Sequence, residues 1–285
     1  MTKIDTEKVF KLQITDIFDE EQVIEYISKI QKHPNVLSPS RIVREGACSW
    51  LHYNVSPNGM TLRALIEKKP LHHNRLTSRL FHFMKIDPYK IILQLIDAYE
   101  FMLNNNLLLG QSNINPDCVW VEHEEHSTQL KVYIINTIET IVNCELSDKN
   151  YWSPELFSKY KAVTFYPNEM EHHPLVNHPL VNHLITKQTT TNKLVRYNTR
   201  PSTITSVYSL GLIMYYIVTH NDPFDCHRLF ADDKPYMSEI QDKELNYSIT
   251  IALECDIRER PTLQQYREII ISNQKKSKRR KCTIL

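Results

Sequence analysis

Residues 107–136 narrow the possible folds of this chain more than any other stretch. They alternate apolar runs with polar breaks: Leu107-Leu108-Leu109, a loop from Gly110 to Asp117, Val119-Trp120-Val121, a second break, then Leu130 to Ile135. Apolar runs of this length, closed by turn-forming residues, predict short buried strands. The first loop is built of Gly, Gln, Ser, Asn and Pro. A polar loop held between buried strands is where a scaffold commonly carries its chemistry.

The chain of 285 residues allows one large domain or two small ones, and its 41% hydrophobic and 24% charged content is that of a globular protein with a substantial core. Six of the 34 basic residues fall within residues 275–281, which contain no acid; without them 28 bases face 33 acids, a body of net charge −5. An acidic body with a basic tail argues against a nucleic-acid-binding face. The six cysteines are scattered, with no pair at zinc or redox spacing. No leading apolar segment reads as a signal peptide and no run is long enough to span a membrane, so a cytosolic setting is expected. Glycine is scarce, at four residues, none before Gly46. A phosphate-cradling loop needs glycine for close backbone approach, so the sequence leaves no place for one.

Local patterns predict the elements in order. Lys8-Val9-Phe10-Lys11-Leu12-Gln13-Ile14 alternates as a strand. Residues 19–32 predict a helix with Val23, Ile24, Ile27 and Ile30 on one face. Residues 41–55 suggest two strands, Ser56-Pro57-Asn58-Gly59 a turn, and residues 61–66 a short helix. Residues 88–103 predict a strong helix, capped by Asp87 with Pro88 in its first turn. Residues 206–219 are apolar almost all round, as in a helix inside a domain. A last helix is expected over residues 261–272.

Ile114-Asn115-Pro116-Asp117-Cys118-Val119-Trp120-Val121 resembles the catalytic loop of eukaryotic protein kinases, His-Arg-Asp-Leu-Lys-Pro-Glu-Asn followed by an apolar strand. Anchored on Pro116, the His-Arg-Asp positions fall on Gln111, Ser112 and Asn113, the lysine on Asn115 and the metal-binding asparagine on Cys118. The Asp-Phe-Gly positions fall on Ile134-Ile135-Asn136. Further motifs follow in family order. His33-Pro34-Asn35-Val36 is similar to the turn after the regulatory helix, and Tyr151-Trp152-Ser153-Pro154-Glu155 to the close of the activation segment. Ser206-Val207-Tyr208-Ser209-Leu210-Gly211 is similar to the helix that braces the catalytic loop, with Ser206 in place of the bracing aspartate. Asp256-Ile257-Arg258-Glu259-Arg260-Pro261-Thr262 is similar to the closing signature.

The resemblance implies an α+β, protein kinase-like bilobal fold, with a truncated β-rich small lobe over about residues 1–55 and a mainly helical large lobe over about 60–272. It implies a structural ion pair of Glu155 with Arg260. It makes Lys11 the weak candidate for the nucleotide-holding lysine, whose usual glutamate partner falls near Val23, Ile24 or Glu25. The chemical groups themselves are missing. Phosphoryl transfer rests on positioning and charge stabilisation. Asn113 cannot take a proton, Ile134 has no donor atom, and Cys118 suits a hard cation poorly. ATP and Mg²⁺ are therefore not expected, and the positions Gln111, Ser112, Asn113, Cys118 and Ile134 are read as degenerate. A divergent Ser/Thr kinase that recruits Asp117 and Lys11 is the competing reading. Residues 158–201 form an insert with a tandem His-Pro-Leu-Val-Asn repeat, read as a low-complexity loop rather than a metal site.

Residues 273–285 read as a polybasic tail: Lys275, Lys276, Lys278, Arg279, Arg280 and Lys281 precede Cys282-Thr283-Ile284-Leu285. This fits a C-a-a-X prenylation pattern with Cys282 as the lipidated residue. One lipid chain holds weakly, and the basic run supplies the second signal, toward anionic lipids. Ser277 lies amid these charges, where phosphorylation would weaken attachment. The combined expectation is an inactive kinase homologue on the cytoplasmic face of a membrane, scaffolding or regulating signalling proteins. A third reading is a lipid-anchored adaptor whose kinase-like fold is incidental.

Overall fold

The computed structural model describes residues 8–14, 32–46, 48–56, 58–67, 86–105, 114–123, 130–135, 149–155, 203–224 and 233–283. The expected helix before His33 (Lys32 apart), the apolar run 107–109, positions 111–113 and the insert 158–201 lie outside them.

The alternating stretches form two small sheets, and the fold is of the α+β kind. The first sheet has the order β1-β4-β3, with β1 (Lys8–Ile14), β3 (Arg41–Glu45) and β4 (Cys48–Val55) all antiparallel. Gly46, at φ 65°, opens the tight turn between β3 and β4, where a left-handed residue matches the twist of the strands. The second sheet has the order β2-β7-β6-β5. Here β2 (Val36–Leu37) runs parallel to β7 (Leu130–Ile135), while β6 (Val119–His123) and β5 (Gly59–Thr61) are antiparallel to their neighbours.

Because β2 is only two residues long, much of the outer edge of β7 needs other partners. Gln94 and Asn35 supply them. The Gln94 side chain accepts from Val132 N at 3.0 Å and donates to Leu130 O at 3.0 Å. Asn35 Nδ2 donates to Val132 O at 2.9 Å and to Gln94 Oε1 at 3.1 Å. Buried strand groups are thereby satisfied by two amides.

Gln94 belongs to α2 (Pro88–Asn104), which begins where predicted: Asp87 Oδ1 accepts from Tyr89 N and Lys90 N. Its stripe Ile91, Ile92, Leu95, Ile96, Tyr99 and Met102 is buried. The shorter α1 (Leu62–Ile66) is capped by Thr61, whose hydroxyl accepts from Ala64 N at 3.2 Å. The helix α3 (Thr203–Thr219) is buried on every side from Thr205 to Ile217, as its lack of charged residues allows. Around it pack α4 (Lys243–Ala252), which the sequence patterns did not single out, and α5 (Leu263–Thr283).

The last helix departs from expectation at its end. It does not stop near residue 272 but continues through the basic run to Thr283. Asn273 and Ser277 prolong the buried stripe begun by Leu263, Tyr266 and Ile270. The boundary drawn at residue 272 between domain and tail therefore falls inside a helix.

At Gly211, α3 comes close to the end of α4. A Cβ there would lie 2.7 Å from Ala252 Cβ and 3.1 Å from Leu253 Cδ2. Helix propensity favours alanine by up to ~1 kcal/mol, but the overlap acts in a close-packed core. Gly211→Ala is expected to destabilise the protein by ~1–3 kcal/mol, read as a lower urea midpoint with an unchanged m-value.

Candidate functional site

The polar loop begins its described part at Ile114. Asn115, buried, has extended backbone and caps the 3₁₀ turn Pro116–Cys118 by accepting from Asp117 N at 2.8 Å and Cys118 N at 3.2 Å. Its amide is thus committed to holding the turn. Cys118 is a half-buried thiol packed against the main core. Ile134 is a fully buried hydrocarbon in β7, with its backbone N–H donated to Asn35 O at 2.9 Å. Neither position offers a hard oxygen ligand. Lys11 lies in β1 opposite His52 of β4. Positions 111, 112 and 113 lie outside the described residues. Among those described, no group of three or more His, Cys, Asp and Glu side chains converges as a metal centre.

Trp120 occupies the space between the two sheets. Leaving the 3₁₀ turn, β6 directs the indole into a cluster with Leu51, Tyr53 and Val55 of β4 and Ile135 of β7, where it is 4% exposed. Its Nε1 donates to Glu122 at 3.1 Å. Glu122 also accepts from Ser56 N at 3.0 Å and from the Tyr133 hydroxyl at 2.9 Å. Gly59 makes room on the neighbouring strand, since a Cβ there would overlap the indole. No local pattern marks this role: a tryptophan in an apolar run reads only as core.

Arg63 was also missed by sequence reasoning. Its Nε donates to Asp117 at 2.7 Å, and its Nη1 reaches both oxygens of Asp222 at 3.0 and 3.1 Å. The guanidinium lies over the Tyr216 ring at 5.4 Å, and the Tyr151 hydroxyl donates to Asp222 at 2.9 Å. Burial works against the charge on Arg63, yet the two carboxylates raise its pKa well above the ordinary arginine value. The two carboxylates that come together beside the 3₁₀ turn therefore share one cation.

Glu155 and Arg260 are brought together. The guanidinium donates to Glu155 through Nη1 at 3.0 Å and Nη2 at 3.2 Å, and the Arg260 side chain is 0% exposed. Further bonds run to the carbonyls of Glu254 and Ile204, and Tyr208 stacks at 4.9 Å. Burial would raise the Glu155 carboxyl, but hydrogen bonds and charge from Arg260 hold it below the usual range.

The six basic residues lie on the C-terminal turns of α5 rather than on a separate tail. Arg280 Nη1 donates to Glu244 of α4 at 2.7 Å. Ser277 is not solvated among the charges as expected: it is 7% exposed, with its hydroxyl donating to Asp242 at 3.2 Å. Position 282 falls within the helix.

Removing the Glu155 charge strands a buried cation. Glu155→Gln is expected to cost ~3–5 kcal/mol in chemical denaturation. A depressed carboxyl contributes stability above its unfolded value of about 4.3 and loses it as the pH falls through the folded value. The gap between wild type and variant should therefore be full at neutral pH and close on acidification below about pH 4. No protein-family model matches the chain, and no curated protein matches it significantly.

Proposed function

We propose that this chain is a protein kinase-like pseudokinase, held at the cytoplasmic face of a membrane and acting as a scaffold or allosteric regulator of signalling proteins. The observation that carries this reading is the seating of Trp120. The indole is buried between the sheets, bonded to Glu122 and closely faced by Gly59; on the kinase-like reading it takes the space that a nucleotide base would need. The order of elements supports the kinase-like assignment: two small sheets, α2 ahead of the 3₁₀ turn, the β6–β7 hairpin, the Pro154-Glu155 close, and the buried α3. The Glu155–Arg260 pair agrees with the motifs that led to it.

The competing reading, a divergent kinase, needs an available carboxylate. Asp117 is 51% exposed but already bonded to Arg63 at 2.7 Å. That contact directs it at α1 instead of a substrate hydroxyl. On our reading the protein binds no ATP, and its surface, not its cleft, meets its partners. Cys282 carries the prenyl group and the basic run supports it electrostatically.

Ligand binding to the native state raises apparent stability by about 2.7 kcal/mol at a hundredfold excess over Kd. ATP with Mg²⁺ at millimolar concentration is expected to leave the melting temperature unchanged. A saturable upward shift, with phosphotransfer lost in Lys11→Ala, would establish the divergent enzyme instead. Cys282→Ser is expected to move the protein from the membrane to the soluble fraction of cells; equal partitioning with wild type would refute the anchor.

A further inference from the structure

A polybasic tail is usually a string of charge whose effect depends on the number of bases. Here the bases are carried by a helix that cannot turn. One side of α5 is fixed to the body through Tyr266, Ile270, Asn273 and Ser277, spaced as a single stripe. Asn273 donates to Ser248 at 2.9 Å, Ser277 to Asp242 at 3.2 Å, and Arg280 to Glu244 at 2.7 Å. All three partners belong to α4 or its cap. Lys275, Lys278 and Arg279 are exposed on the side away from this stripe. They stand seven, four and three residues before position 282, the helical spacing of a shared face.

We propose that Lys275, Lys278 and Arg279 form a rigid membrane-contacting face of α5, in register with Cys282, so that an anionic bilayer meets one defined side of the domain. The occupant follows from charge complementarity: the body is acidic, and this face concentrates positive charge at its edge. Arg280 and Lys281 contribute less. The first is held by Glu244, and the second stands four residues after Ser277 in the helix. Only the alignment with Cys282 rests on the prenylated reading; the basic face stands without it.

The test uses the full chain made without lipid and vesicles of phosphatidylcholine mixed with phosphatidylserine, with pure phosphatidylcholine as the uncharged control. Two double variants remove equal charge: Lys275→Gln/Lys278→Gln from the proposed face, and Arg280→Gln/Lys281→Gln from outside it. Each base near an anionic leaflet adds ~1 kcal/mol, so the first pair should weaken binding about 30-fold and the second less than about threefold. Melting temperatures confirm that both variants fold. Equal losses in the two variants, or no preference of wild type for the charged vesicles, would overturn the proposal. So would tighter binding to duplex DNA than to the vesicles at the same salt. Failure of the lipid anchor registers separately, in the fractionation of Cys282→Ser, and does not alter the vesicle result.

Discussion

Arg260 is the junction on which the helical part depends. A single guanidinium, with no solvent contact, joins the Pro154-Glu155 turn, the first turn of α3, the carbonyl of Glu254 after α4 and the ring of Tyr208. These segments are far apart in sequence, and each alone has little reason to stay in place. Burying the cation carries a large desolvation cost, offset only when every donor finds an acceptor. The arrangement therefore specifies geometry: a small displacement of any of these segments breaks a bond to a guanidinium that has no exposure of its own. With α3 fixed, its mostly apolar surface gives α2, α4 and α5 a common wall to pack against.

The second organising feature works by volume. The two sheets share no strand, so a filler between them decides how closely they sit. Trp120 supplies it, with Tyr53 and Leu51 from one side and Ile135 from the other. The bond to Glu122 satisfies the one polar atom of the ring. In the described part of the adjoining loop, Asn115 is occupied with its own turn and Asp117 with Arg63.

Much of this architecture is legible in the sequence, and the exceptions are instructive. Asp87 and Pro88 announce α2, and the solid apolar run from Val207 to Val218 announces α3, because caps and periodicity are local signals. The strands β6 and β7 stand out because turn residues bound them. α4 was missed because Lys243-Glu244-Leu245-Asn246-Tyr247-Ser248 offers few apolar positions, and its buried side includes Glu244 and Ser248. The end of α5 was misplaced for the same reason: Asn273 and Ser277 continue the buried stripe with polar atoms, invisible to a hydrophobic count. Arg63, Trp120 and Gly59 owe their roles to partners distant in the chain, and no local pattern carries that information. Glu155 and Arg260, also distant, were paired only through the motif resemblance.

The two amides that complete β7 have a consequence for how the molecule behaves in a crowded solution. An open strand edge is a template on which another chain can add itself. Here Asn35 and Gln94 satisfy the peptide groups of Val132 and Leu130 beyond the reach of β2, so this stretch of β7 offers an incoming strand no row of unpaired donors and acceptors. Crowded neighbours therefore find no template along this stretch of β7.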